Sequence, residues 1–92
     1  MRIEWDAYKA KANLQKHGVA FSEAASIFLD PLAATFPDPD HSMGEHRFIT
    51  VGYSSLGRLI IVAHADSEFA VRIVSARTAS ARERKRHEDQ GS

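Results

Sequence analysis

The alternation of apolar and polar residues along the chain predicts five short β-strands. They cover residues 2–5, 32–36, 47–51, 58–64 and 71–77. Segments rich in Pro, Gly, Asp and Ser separate the later strands, and closely spaced strands with short connections form an antiparallel meander. In the first strand Ile3 and Trp5 face the same way, and we expect Trp5 to pack in the core beneath the first helix.

Capping signals in the first third of the chain predict a helical hairpin. An aspartate at position 6 is a natural N-cap for a helix over residues 7–17, and Gly18 ends that helix. A second helix begins at Phe21 or Ser22. It ends before Pro31, because the residue that precedes a proline avoids the helical region. Two short helices joined by a tight glycine turn make a helical hairpin.

A capping box near the end of the chain predicts a third helix. The Ser80 hydroxyl can accept the Glu83 amide N–H while the Glu83 carboxylate accepts the Ser80 N–H. The predicted order of elements is therefore β-α-α-β-β-β-β-α, within one domain that spans residues 1–92. The fold class is α+β, a small antiparallel sheet with the helical hairpin on one face and a helix at the C-terminus.

The composition of the chain indicates the cellular compartment in which it is expected. The chain has no cysteine, so it forms no disulfide and no thiolate metal site, which suits a reducing compartment. No run approaches the roughly 18 apolar residues of a membrane span, and the N-terminus does not have the pattern of a signal peptide. We therefore expect a cytoplasmic protein with no membrane association.

Positive charge is concentrated near the C-terminus although the net charge of the chain is zero. Six basic residues and one acidic residue lie between Arg72 and Arg86. A net charge of zero argues against a protein that binds nucleic acid through its overall charge. Any nucleic-acid site must therefore be a local cluster of basic residues. The basic segment indicates a partner that carries phosphates or an acidic protein surface.

Three arginines in predicted strands are the candidates for binding phosphate. Period-2 geometry places Arg72 and Arg77 on opposite faces of the last strand unless a bulge intervenes, and Arg77 is the better candidate for an exposed groove. Glu45 and Arg47 lie on the same face of the third strand. They can form an ion pair, or Arg47 can face a phosphate.

Five histidines in a short chain raise the question of a metal site. No pair has the i, i+4 spacing that suits zinc on a helix, so we predict no metal ligands and no cofactor. Most of the histidines fit exposed polar positions. Proton transfer requires a group such as His or Glu, and the candidates are His41, Glu45 and His64.

Several motifs occur in order from residue 4 to about residue 88. They are Glu4-Trp5-Asp6, Lys11-x-Asn13-x-x-Lys16-His17-Gly18-Val19-x-Phe21-x-Glu23-Ala24, Phe28-x-Asp30, His41-x-x-x-Glu45-x-Arg47, Gly52-x-Ser54-x-x-Gly57-Arg58-Leu59 and Arg72-Ile73-x-Ser75-Ala76-Arg77-x-Ala79 followed by Glu83-Arg84. On these motifs the chain resembles the BrnT family of toxins from bacterial type II toxin-antitoxin systems.

The resemblance implies a RelE-like fold and a ribonuclease that blocks translation without a metal ion. It implies a partner, the ribbon-helix-helix antitoxin BrnA, and a complex that binds operator DNA through the antitoxin. The catalytic candidates are then Arg77, Arg47, Arg72, Glu45, His41 and His64, and the RNA-binding candidates are Lys11, Lys16, Arg58 and Arg82. The chain departs from the family pattern at His64, Thr78 and His87, where relatives often carry other residues.

Two other functions are compatible with the same residues. In the first, the chain is a binding module without catalytic activity, and its basic terminal helix and strand edge serve the antitoxin in a corepressor complex. In the second, the chain is a metal-dependent hydrolase, and a chelator abolishes cleavage.

Overall fold

The fold is α+β, with the predicted order of elements. A computed structural model of the chain describes residues 2–38 and 46–90. The strands are β1 (Arg2–Trp5), β2 (Ala34–Pro37), β3 (His46–Tyr53), β4 (Leu59–Asp66) and β5 (Ala70–Thr78). The helices are α1 (Ala7–His17), α2 (Phe21–Ser26), which continues into a 3₁₀ turn (Ile27–Leu29), and α3 (Ala81–Gln90). None of the described helices is long and apolar enough to cross a membrane.

The sheet has the strand order β1-β5-β4-β3-β2. Strands β2 to β5 form the predicted antiparallel meander. Strand β1 lies at the far edge and pairs parallel to β5, with Arg2 opposite Ala70 and Trp5 opposite Ile73. A parallel pair requires a long crossover connection, and everything between β1 and β5 in the chain supplies it. The sheet is therefore antiparallel except at this one edge.

The predicted capping signals are confirmed by hydrogen bonds. The Asp6 carboxylate accepts the Lys9 N–H at 2.9 Å, and Gly18 ends α1 with φ of 70°, a conformation that glycine adopts without steric cost. At α3 the capping box forms in both directions. The Glu83 N–H donates to the Ser80 hydroxyl at 3.2 Å, and the Ser80 N–H donates to the Glu83 carboxylate at 2.9 Å.

The hydrophobic core lies between the helical hairpin and one face of the sheet, which we call the inner face. Its buried members are Val19, Phe21, Ala24, Ile27, Ile60, Val62, Ile73 and Ala76. Asn13 is buried with them and connects α1 to β5. Its amide donates to the carbonyls of Val19 at 2.9 Å and Ala76 at 2.8 Å, and its side-chain oxygen accepts the Ala76 N–H at 3.0 Å.

Two expectations about local packing are corrected by the structure. Strand β2 begins at Ala34 rather than at residue 32, because Asp30 accepts the Leu32 N–H and holds that residue in a turn. Trp5 is not a core residue, since 41% of its surface is exposed. It lies on the edge strand β1, and its ring meets that of Phe21 in an edge-to-face contact at a centroid distance of 6.2 Å.

A β-bulge in β5 changes which arginines share a face. Ala63 pairs with Ser75 and His64 pairs with Ile73, so β5 has one extra residue, Val74, at this point. Ile73 and Ala76 are consequently both buried although they are three positions apart. The bulge therefore brings Arg77 to the same face as Arg72, which is the face opposite the core. We call this the outer face.

Candidate active site on the outer face of the sheet

The strand register places the three predicted arginines on the outer face. Arg47 lies opposite Ala65, and Ala65 lies opposite Arg72, so these two arginines flank β4 in one row. Strands are spaced by about 4.8 Å, which puts their Cα atoms about 10 Å apart. Arg77 lies opposite Ile61, four residues along β4, or about 13 Å from that row.

Helix α3 and the outer face enclose an open groove of about 330 Å³, which we call the α3 groove. Its floor is apolar and consists of Phe36, Ile49, Val51 and Ile61, and its wall consists of Arg77, Glu83, Arg86, His87 and Gln90. No described side chain of α3 is buried. The helix is held at its start by Glu83 and further along by Tyr53, whose hydroxyl donates to Glu88 at 3.2 Å.

Arg77 is oriented in the α3 groove by Glu83. Its two terminal nitrogens donate to the two carboxylate oxygens at 2.8 and 2.9 Å, a bidentate pair. The Arg77 hydrogen bonds, with help from the Ser80 N–H, lower the pKa of Glu83 to about 2, and the same pairing raises the pKa of Arg77. A guanidinium has five N–H donors, so this pair leaves donors of Arg77 for a phosphate.

A second cleft, of about 320 Å³, lies at the other end of the outer face beside Arg72, and we call it the edge cleft. Its polar lining includes Glu4, His46, Asp66 and Ser67. Glu4 lies directly opposite Arg72 across the parallel β1–β5 pair and also contacts Arg2 at 3.4 Å. Arg47 and Arg72 each have interaction partners within the structure.

Sequence reasoning did not find all of the groups that lie beside the arginines. Glu4 and His46 accompany Arg72, and Arg86 and His87 accompany Arg77. The local sequence did not indicate that Glu4 lies beside Arg72, because only the parallel pairing of β1 with β5 brings the two residues together. His87 and Arg86 lie one helical turn beyond Glu83, so the spacing from the capping box could have indicated them.

His64 lies on the inner face, away from the three arginines, and is only 2% exposed. Its Nε2 is 2.7 Å from the Thr50 hydroxyl and its Nδ1 is 2.6 Å from Asp66, and its ring packs against Phe28 and Phe48. A Thr-His-Asp chain has the order of a catalytic triad. Thr50 is buried as well, and these hydrogen bonds join β3 to β4 within the interior.

The predicted RNA-binding residues are spread over the molecule. Arg58 binds the buried carboxylate of Glu23 through two hydrogen bonds, of which the one from Nε is 2.9 Å, and it donates to the Gly18 carbonyl at 3.2 Å. The Arg58 hydrogen bond is the main cause of the lowered pKa of Glu23. Arg58, which immediately precedes β4, therefore joins the start of that strand to the helical hairpin. Lys11 and Lys16 lie on α1, and Arg82 lies on α3.

Two further predictions fall outside the described residues, since His41 and Glu45 belong to the segment 39–45. Over residues 2–38 and 46–90, no group of three or more His, Cys, Asp or Glu side chains is placed to hold a metal ion.

Comparisons with known proteins give the class of protein that this fold and site represent. The structure is similar to the 1.1 Å crystal structure of the Brucella abortus ribonuclease toxin BrnT, with a TM-score of 0.68 and 26% sequence identity. The match covers 87% of this chain and 97% of that toxin. A sequence comparison with curated proteins finds no match.

The family model for the ribonuclease toxin BrnT of type II toxin-antitoxin systems matches residues 5–83. The chain belongs to the BrnT family of ribonuclease toxins.

Proposed function

We propose that the chain is an endoribonuclease that needs no metal ion, blocks translation by cutting RNA and is neutralised by a BrnA-like antitoxin. The observation that supports this proposal most strongly is the placement of Arg47, Arg72 and Arg77 on one open face of the sheet. Guanidinium groups bind phosphate through paired hydrogen bonds, and three of them along a face match the repeated charge of an RNA backbone.

The reaction that fits these side chains is transfer of the phosphate to the neighbouring 2′-hydroxyl. The 2′-oxygen attacks the phosphorus and loses its proton, and the bond to the 5′-oxygen breaks as that oxygen gains a proton. The products are a 2′,3′-cyclic phosphate and a 5′-hydroxyl. Arginines at the phosphate stabilise the charge that develops in the transition state, and removing one such group costs about 10²–10³-fold in rate.

Arg77 supplies this charge in the α3 groove. Glu83 holds its guanidinium in place, and preorganised charge needs no reorganisation during the reaction. His87 lines the same groove and is able to donate or accept a proton. The apolar floor beneath them, which includes Ile49 and Ile61, is suited to an unstacked base next to the scissile phosphate.

The edge cleft supplies a second phosphate position. Arg72 lines it together with Glu4 and His46, which can take part in proton transfer. His41 and Glu45 remain proposed proton-transfer groups on the strength of the family motif alone. Lys11, Lys16 and Arg82 are proposed as additional contacts to the RNA backbone, which weaken with salt as phosphate contacts do.

The proposed partner is a ribbon-helix-helix antitoxin of the BrnA type, because a toxin of a type II system requires an antitoxin. We propose that operator DNA is bound only through that complex and that the protein acts in the cytoplasm. The competing proposal is a binding module without catalytic activity. The observation that favours it is the pairing of Arg77 with Glu83, which already occupies part of that guanidinium.

Cleavage of RNA in the presence of chelator tests this proposal. The purified chain is incubated with an end-labelled RNA in EDTA, alone and in a translation extract, and the product ends are determined. We expect cleavage with 2′,3′-cyclic phosphate and 5′-hydroxyl ends, and inhibition by the antitoxin. Absence of cleavage in both settings alongside tight antitoxin binding would establish the binding module. Cleavage that stops when EDTA is added would establish a metal-dependent hydrolase.

A further inference from the structure

We propose that a cleft on the inner side of β1 is a second RNA-binding site, which stacks one unpaired base on Trp5. The cleft has a volume of about 290 Å³ and lies between β1, α1 and the start of α2. Its lining includes Trp5, Ala10, Lys11, Leu14 and Phe21. This inference rests on the proposed function, since it takes RNA to be the substrate, and it concerns a surface on the opposite side of the sheet from the arginines.

Trp5 has an open ring surface that the fold does not use. Its side chain is held by the edge-on contact with Phe21, yet 41% of the residue is exposed. Leu14 and Tyr8 on α1 are also exposed, at 51% and 86%. Proteins that bind single strands stack bases on such rings, which is worth about tenfold or more in affinity per base and accepts any base.

The charge of α1 is complementary to phosphate. The helix contains Lys9, Lys11 and Lys16 and has no acidic residue between Ala7 and His17. This differs from α3, where acidic residues are interspersed with the basic ones. Lys11 lines the cleft together with Trp5, so the same cleft combines a positive charge with an aromatic ring. Aromatic and basic side chains together are the signature of a single-strand site.

The size of the cleft favours a base over a peptide helix. Its volume lies just below the range of about 300–1,000 Å³ that is typical of small-molecule sites. An amphipathic helix needs an extended groove that takes anchors at i, i+3 or i+4, and i+7. A single flat base does not require an extended groove, so this small cleft suits a base better than a helix.

The edge strand connects this cleft to the proposed active site. Glu4 lines the edge cleft on the outer side together with Arg72, and the next residue, Trp5, lines the inner cleft. Consecutive Cα atoms are only 3.8 Å apart. A strand of RNA that leaves the Arg72 cleft therefore needs only to pass around the edge of β1 to place a base on Trp5.

Fluorescence of Trp5 tests this inference directly, because Trp5 is the only tryptophan in the chain. The full chain is titrated with a single-stranded oligonucleotide that carries 2′-O-methyl groups and so cannot be cleaved. We expect quenching that saturates, weakens as salt is added, and persists in Arg77→Ala. We expect Trp5→Leu to raise the Kd about tenfold, measured by anisotropy of a labelled oligonucleotide.

Matched variants distinguish the contribution of base stacking to RNA affinity from the contributions of charge and of fold stability. Lys11→Gln is expected to weaken binding several-fold, whereas Lys9→Gln removes the same charge from the same helix outside the cleft and is expected to weaken it less. Trp5→Phe keeps an aromatic ring, and we expect it to retain more affinity than Trp5→Leu at equal thermal stability.

The outcomes distinguish this inference from the proposed function. Cleavage by the wild-type chain with no quenching of Trp5 overturns the inference and leaves the nuclease intact. Quenching without cleavage overturns the nuclease and supports an RNA site at Trp5. Equal quenching by poly-glutamate overturns the inference in favour of an acidic protein partner.

Discussion

The polar groups on the two sides of the sheet differ in burial: those on the inner side are buried and hydrogen-bonded, whereas those on the outer side line open clefts. On the inner side, Asn13 and Glu23 of the helical hairpin and His64 of β4 are buried, and each forms hydrogen bonds to neighbouring groups. Over the described residues, no buried side-chain nitrogen or oxygen lacks a hydrogen-bond partner. On the outer face, Arg77 lies beside half-buried apolar residues in the groove beneath α3, and no described side chain of α3 is buried.

This difference teaches how to assign roles in a small domain. A buried polar group that meets only protein partners is part of the fold, because leaving it unpaired costs free energy. A charged group beside an open groove has surface available to a ligand. We therefore expect changes at the buried polar groups mainly to alter the free energy of unfolding, and changes at the outer-face arginines mainly to alter the reaction with RNA.

The largest effect on stability is expected for Asn13→Ala. The change leaves the backbone groups of Val19 and Ala76 without partners in the interior, where each unsatisfied group costs about 1–3 kcal/mol. We expect a loss of about 3 kcal/mol in the free energy of unfolding, measured by urea denaturation. Gln15→Ala on the same helix is the exposed control. Equal stability of the two variants would contradict the role given to Asn13.

An intermediate effect is expected for Arg58→Ala, which leaves the Glu23 carboxylate buried without its cation. Removing one partner of a buried pair is destabilising, and we expect a smaller loss than for Asn13→Ala because the Arg58 side chain is 40% exposed. Arg82→Ala makes the same change on exposed α3 and is expected to cost little.

The pH dependence sharpens this prediction. The pKa of Glu23 is lowered in the folded state, so its pairing stabilises the protein above the usual pKa of glutamate and ceases to do so as pH falls through the lowered value. The difference between wild type and Arg58→Ala should therefore shrink in acid. A difference that does not shrink as the solution is acidified would argue against the ion pair.

The smallest stability effect is expected at the start of α3. Folding lowers the pKa of Glu83 from 4.5 to about 2, so the pair with Arg77 stabilises the fold above about pH 4.5 and is lost between that pH and about 2. Both side chains are partly exposed, and solvent screening limits the contribution to about 1 kcal/mol. Glu83→Gln should reproduce this loss at pH 7, seen as fraying of α3 by amide exchange, while amides of β4 stay protected.

Local signals were sufficient to predict most of the fold. The caps at Asp6, Gly18 and Ser80 depend on residues within one turn, and the meander depends on short connections between alternating segments. The parallel pairing of β1 was not predictable, because strand pairing at a distance leaves no local pattern. The resulting edge position explains why Trp5 is exposed instead of buried.

The candidate site was predictable in its arginines but not in their arrangement. Strand periodicity indicated that Arg72 and Arg77 share a face only if the strand contains a bulge. It did not indicate that the bulge is present, because the bulge at Val74 depends on the register between β4 and β5. His64 has the alternation of a core position, and its burial among Phe28, Phe48 and Thr50 depends on tertiary packing. Residue type alone therefore did not indicate that His64 is buried.

The most direct measurement of the central claim is RNA cleavage in EDTA by the triple variant Arg47→Ala, Arg72→Ala, Arg77→Ala, with its urea unfolding curve measured beside it. The control is Lys9→Ala, Arg84→Ala, Lys85→Ala, which removes the same charge from exposed helix positions outside both clefts of the outer face. We predict that the outer-face variant loses at least about 100-fold in cleavage rate while it still unfolds cooperatively, and that the control keeps most of its activity. Cleavage by the folded outer-face variant at the wild-type rate would contradict the assignment of the active site to this face.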